Sequence, residues 1–250
     1  MHPVIALEAL DPDLQLLTLD RPAKRNALTR ESIEQLTLAL RNAARDPTVR
    51  GVILNGAGKS FCAGVDLHEF AQGTVESARR LIEALRDLCA TVRTLPKPVV
   101  CAIHGHCLGG ALELAACCDF RVCTPDAQLG MPEVLLGIPS VIDAVMLTHH
   151  VGAGRARELL LTGDPIDGQT AYAWGLANRL APPEALVRNA ADLLRQVTRH
   201  APEVITSQKT LHQQWLDLPY SEAVERSIEP LLDAVRAGRP QQAARAILER

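Results

Sequence analysis

The apolar positions of the chain fall into three successive strand-then-helix blocks, followed by a long stretch with helical spacing alone. "LQLLTLD" (14–20) is a short strand-like run, and "RESIEQLTLALRNAARD" (30–46) then repeats apolar residues every three to four positions, as one face of a helix does. "VRGVILNGAG" (49–58) is again strand-like and leads, through a loop, to the helical pattern "SARRLIEALRDLCATVRTL" (77–95). The third block joins "KPVVCAIHG" (97–105) to a short alanine- and leucine-rich helix at 109–117, with "FRVCTP" (120–125) as a further strand. Alternation of this kind predicts an α/β fold with mainly parallel pairing and right-handed crossovers.

From about residue 140 the strand signal fades. Segments such as "SVIDAVMLTHHVG", "PPEALVRNAADLLRQVTRH" and "SEAVERSIEPLLDAVRAG" read as helices punctuated by Gly and Pro, and only "LANRLAP" (176–182) keeps strand character. The expected organisation is an α/β core over residues 1–195 and an all-helical region over 196–250.

Composition narrows the classes of partner. With 250 residues, 47% hydrophobic and 22% charged, the chain is long enough to bury one large core. A formal net charge of −3 offers no electrostatic reason to bind nucleic acid or an anionic membrane, and neither is expected as a partner. No apolar run near the glycine-rich segment reaches the roughly 20 residues of a membrane span, and the N-terminal "MHPVIALEALDPD" lacks the pattern of a secretory signal. Seven cysteines, an odd number with no CxxC pair, read as reduced thiols in a cytoplasmic protein. His104 and His106 flank a bend without a metal-like constellation around them, so they read as structural and no metal is expected.

Three stretches hold candidate chemistry. In "IHGHCLGGALELAACC" the glycines Gly105, Gly109 and Gly110 permit a tight turn and close approach of a ligand to the backbone. The helix opening near Gly110 presents unpaired N–H groups at its positive end, which suits an oxyanion. Glu113, three residues on, projects from the same face as the Gly110 amide; a helix-capping role is the alternative. In "GKSFCAGVDL" (58–67) the amide of Ala63 is a candidate second donor to the same oxygen, at the end of a parallel strand where α/β proteins place ligands. In "LGMPEVLLGIPS" (129–140) Glu133 is a second acid in apolar company, of the kind that serves as general acid or base near neutral pH. Ser140 followed by Asp143 looks like a capping box for the next helix.

These stretches, in this order, resemble the enoyl-CoA hydratase/isomerase, or crotonase, family over most of the chain. "LDRPAKRNALT" (19–29) is similar to the family's coenzyme-A motif, "FCAGVDL" (61–67) and "IHGHCLGGALELAACCDFRV" (103–122) to its two oxyanion segments, and "GMPEVLLGIPS" (130–140) to its third active-site motif. The resemblance implies a spiral of ββα turns with a C-terminal helical trimerisation region, and a homotrimer or homohexamer. It implies an acyl-CoA thioester substrate, with coenzyme A as part of the substrate and no separate cofactor. Glu113 and Glu133 would be the catalytic pair, Glu113 activating water and Glu133 donating a proton, with the Ala63 and Gly110 amides as the oxyanion hole. Lys24, Arg25 and Ala27 from the first motif, Gly64, Val65, Asp66 and Leu67 from the second, and Gly109, Pro132 and Ser140 would contact coenzyme A or substrate.

The activity implied is hydration of a 2-enoyl-CoA. Double-bond isomerisation through the same enolate is the alternative, and an acyl-CoA-binding subunit without turnover is a third reading. One departure bears on the choice: "GIPSVIDA" (137–144) is a residue shorter than the hydratase pattern and has Ser140 where a glycine usually stands.

Overall fold

The computed structural model describes residues 4–71 and 73–249. They form two compact units, one reaching to Thr198 and one from Arg199 on. The first unit is mixed α/β. Strands β1 (Ile5–Asp11) and β2 (Leu14–Leu19) make an antiparallel hairpin, after which α1 (Arg30–Arg45) crosses to β3 (Gly51–Gly56). A short α2 (Leu67–Ala71) precedes α3 (Val75–Thr94). Then come β4 (Val99–Ile103), β5 (His106–Leu108), α4 (Gly110–Cys117), β6 (Phe120–Cys123) and β7 (Gln128–Gly130). Helix α5 (Val145–Thr162), β8 (Ile166–Asp167), α6 (Gly168–Ala173), β9 (Arg179–Leu180) and α7 (Leu186–Thr198) complete it.

Six strands in the order β1-β2-β3-β4-β6-β9 form the main sheet, parallel from β2 onward, and β5-β7-β8 form a smaller one. The chain therefore alternates between sheets before each helix: β4, β5, then α4; β6, β7, then α5. The β3 to α3 turn does the same through a single bridge between Cys62 and Cys107. These are the ββα turns of the expected spiral. Strands β2, β3 and β4 are near-continuous apolar runs because both faces of the sheet are covered. Leu17, Val52 and Cys101 pack toward α1, α3 and α4, while Leu14, Ile53 and Val100 pack toward Ala190 and Leu194 of α7. Both α1 and α3 open with a reciprocal cap, Thr29 with Ser32 and Thr74 with Ser77. Gly152 leaves the helical conformation at φ 79° inside α5.

The second unit consists of α8 (Pro202–Asp217), α9 (Tyr220–Arg226), α10 (Ile228–Arg236) and α11 (Arg239–Leu248). Ala223 is its one buried apolar residue among those described, while Trp215, Tyr220, Leu231 and Leu232 are exposed.

Candidate active site

Two glycine turns and one bend meet at a cavity of about 380 Å³ in the first unit. The sheet sets this up. Parallel strands β3 and β4 end side by side, and the segments leaving them, 57–67 and 104–110, are held together by the Cys62 N–H on the His106 carbonyl at 2.9 Å and the Phe61 N–H on the His104 carbonyl at 2.7 Å. Gly109 turns the chain with φ 54° and ψ −127°, a conformation that a side chain resists. A Cβ there would also collide with Oε1 of Glu133, so the bare Cα is the seat on which that carboxylate lies. Gly110 then opens α4, where a Cβ would come 2.7 Å from Leu85 and 3.3 Å from Val65.

Glu113 and Glu133 both line the cavity, as the sequence led us to expect. Glu113 is buried in the first turn of α4. Its pKa is pushed up to about 8, first by burial, then by the charges of Glu133 and Asp143, against a smaller opposing pull from the amides of Ala144 and Val141. Glu133, in the 3₁₀ turn Pro132–Leu136, is also raised by burial, with its own backbone amide and the Ser140 hydroxyl drawing it back. That hydroxyl donates to Glu133 Oε2 at 3.1 Å. Two acids of different proton affinity on one cavity hold a single proton between them near neutral pH, and the resting proton sits on Glu113.

Gly110 lines the cavity, and its N–H has no partner among the described residues: the Leu112 and Glu113 amides turn instead to the Gly109 carbonyl. The expected second donor needs correction. The Ala63 N–H is engaged by the Arg25 carbonyl at 3.0 Å and is not available to a ligand. Two residues on, the Leu28 N–H bonds Gly64 O and the Asp66 N–H bonds Leu28 O, both at 2.8 Å, in a one-residue parallel bridge. In such a bridge the residue between, Val65, keeps a free N–H. Val65 lines the cavity beside Gly110, so the amides of Val65 and Gly110 are two neighbouring wall donors open to a ligand.

The remaining expected contacts divide. Arg25, Ala63, Gly64, Leu67, Gly109 and Pro132 line the cavity. Lys24 and Asp66 instead border an adjoining polar cleft of about 500 Å³, together with Arg21 and His68. Ala27 lines neither; it presents its carbonyl to the Arg21 guanidinium. Asp66 is a buried structural acid, paired to Arg21 at 3.1 Å and accepting the His68 N–H at 3.1 Å. Burial pushes its pKa up, but these two partners outweigh it and hold it below the usual carboxylate range. Ser140 does not cap the next helix, since α5 opens without a side-chain cap; it binds Glu133, and Asp143 pairs with Arg93.

Sequence reasoning passed over Asn26. Buried and in the left-handed region at φ 56°, it donates to the carbonyls of Ala57, Ser60 and Phe61 at 2.9, 2.8 and 3.1 Å. It ties the first motif to the turn carrying Val65; the signal available was a lone Asn in a glycine-free loop. Cys89, Cys117 and Asp143 place potential ligand atoms within 4.8 Å of one another. Arg93 pairs with that carboxylate, and the hydrogen bond to Cys117 together with burial raises the Cys89 thiol pKa. His104 and His106 bond Gly58 O and Ser60 Oγ, each at 3.1 Å, in structural roles.

Comparison with known proteins agrees with this geometry. A family model described as enoyl-CoA hydratase/isomerase matches residues 12–231. The chain is 35% identical to the 2,3-dehydroadipyl-CoA hydratase of Escherichia coli, over 88% of this chain and 86% of that one. It is 36% identical to the crotonyl-CoA hydratase of Syntrophomonas wolfei, over 70% and 68%. The crystal structure of an enoyl-CoA hydratase from Bacillus anthracis superposes with a TM-score of 0.93 at 29% identity, covering 99% of this chain and 96% of that one.

Proposed function

The chain belongs to the enoyl-CoA hydratase/isomerase family, and we propose that it adds water across the 2,3 double bond of an enoyl-CoA thioester. The observation that carries this reading is the convergence of two acids of unequal proton affinity on a cavity walled by the free amides of Val65 and Gly110. The thioester oxygen takes those two N–H groups, which stabilise the negative charge that develops there. Water, held between the carboxyl groups, bonds through its oxygen to the β-carbon and gives its proton to the ionised carboxylate. The double-bond electrons move onto the thioester as an enolate, and the protonated carboxyl returns a proton to the α-carbon. One water is consumed and the pair ends with the single proton it began with. The division implied by the family resemblance, Glu113 as base and Glu133 as acid, requires the resting proton to cross from Glu113 to Glu133 once substrate is bound, and the bridging water is the path. No cofactor enters this scheme.

In the polar cleft, where Lys24 and His68 stand beside the Arg21–Asp66 pair and Glu69, Lys24 supports a seat for the phosphates of coenzyme A. We further propose a homotrimer or homohexamer: the exposed apolar side chains of α10 support burial against another copy, which light scattering on a sizing column would test by giving three or six chain masses. Among the described residues no helix is long and apolar enough to cross a membrane. The seven free, buried thiols support a reducing, cytoplasmic setting. The activity is tested with a panel of enoyl-CoA thioesters, following loss of the conjugated chromophore and gain of one water by mass. Exchange of the C2 or C4 hydrogens without a hydroxyacyl product would instead mark an isomerase.

A further inference from the structure

We infer that the acyl group accepted by this site is a plain hydrocarbon chain without a distal carboxylate. The inference rests on the hydratase reading and names its substrate class. Beyond the two glutamates and the two amides, the cavity wall is made by Phe70 of α2, Ile82 and Leu85 of α3, and Leu135, Leu136 and Ile138 of the bend after Glu133. These side chains offer a tail dispersion contact and no hydrogen bond. Among the described residues on the wall the sole cation is Arg25. It comes from the loop whose carbonyl holds the Ala63 amide, on the oxyanion side, and not from α2, α3 or the 132–141 bend. The other nearby guanidinium, Arg93, is committed to Asp143.

A substrate ending in a carboxylate would bring a second negative charge to a cavity whose pair of acids, Glu113 and Glu133, already carries one. Its charge would lose hydration against the more buried Phe70, Ile82 and Leu85, with no cation from α2, α3 or the bend among the described wall residues to offset it, which is costly. A terminal methyl in the same place loses nothing and gains contact. The relative from Escherichia coli is a 2,3-dehydroadipyl-CoA hydratase, and the present chain, at 35% identity, would differ from it in this preference.

The test uses a matched pair of six-carbon thioesters, trans-2-hexenoyl-CoA and 2,3-dehydroadipyl-CoA, which differ by a terminal methyl against a carboxylate. The expected kcat/KM ratio is about a hundredfold in favour of hexenoyl-CoA; a ratio of about ten or less overturns the inference. Binding of the saturated pair, hexanoyl-CoA and adipyl-CoA, is measured by calorimetry on the same protein. If neither enoyl thioester gains water, the hydratase reading has failed, and the calorimetric ratio alone decides the pocket by the same criterion. Ile82→Arg supplies the missing cation from α3 and is expected to move the ratio toward dehydroadipyl-CoA by about tenfold or more. An unchanged ratio in a folded variant counts against the placement.

Discussion

Replacing Glu113 by Gln makes a sharp stability prediction, because the protonated carboxyl and the amide are nearly isosteric and differ in whether they can ionise. The Glu113 pKa rises from 4.5 to about 8 on folding. An acid whose pKa is raised in the folded state costs nothing at pH values below its unfolded pKa. The cost grows as pH rises from 4.5 to 8, where the unfolded chain has released a proton that the native state still holds, and stays level above. At about 1.4 kcal/mol per pH unit, wild-type stability suffers by under about 1 kcal/mol at pH 5 and by about 4–5 kcal/mol at pH 8.5. Glu113→Gln removes that cost, since Gln does not titrate. In urea unfolding, the variant should match wild type to within about 1 kcal/mol at pH 5 and exceed it by several kcal/mol at pH 8.5. The comparison between the two pH values cancels any fixed packing difference. If the variant shows the same offset at both, Glu113 is not a buried acid with a raised pKa, and the single-proton account of the pair is wrong.

Three further outcomes follow from the same geometry. Removing the Ser140 hydroxyl with Ser140→Ala takes away a donor that favours ionised Glu133, so the acidic limb of the kcat/KM profile should move to higher pH, while Ser140→Thr keeps the donor and restores it. Replacing the Val65 amide by an ester, which deletes one N–H, should lower kcat by about 10²–10³; the same change at Ala63 should leave kcat within a few-fold, since that N–H serves the Arg25 carbonyl. Asn26→Ala strands three carbonyls that it now serves and should cost about 1–3 kcal/mol in urea unfolding, with kcat falling as the Val65 turn loosens.

Much of this molecule was legible from residue spacing. The helix at 30–46 is α1, that at 77–95 is α3, and that at 109–117 is α4, because each carries a strong start signal and a sustained apolar period or an alanine-rich run. Strand β1 was not foreseen: "IALEALD" does not alternate cleanly, and its exposed middle gives no buried face to read. Strands β5, β7 and β8 are two or three residues long, too short for any periodicity to register, yet they make the second sheet that brings Gly109 to Glu133. The two glutamates were visible as charges in apolar surroundings. The identity of the second free amide was not, since it depends on which N–H the loop from Arg21 to Leu28 captures across the fold. Ser140 was misread for a similar reason: as a cap it needs only local sequence, whereas its actual partner, Glu133, is fixed by the 3₁₀ turn and the αL residue Gly137.

The account stands on one water being shared by Glu113 and Glu133 and added to a thioester held by main-chain amides. Incubating the protein with trans-2-hexenoyl-CoA in isotopically labelled water tests this directly. Loss of the conjugated absorbance together with one labelled oxygen at C3 of the product is the predicted result, abolished in Glu113→Gln and Glu133→Gln. Full hydration by both variants, or a product that carries no solvent oxygen, would contradict it.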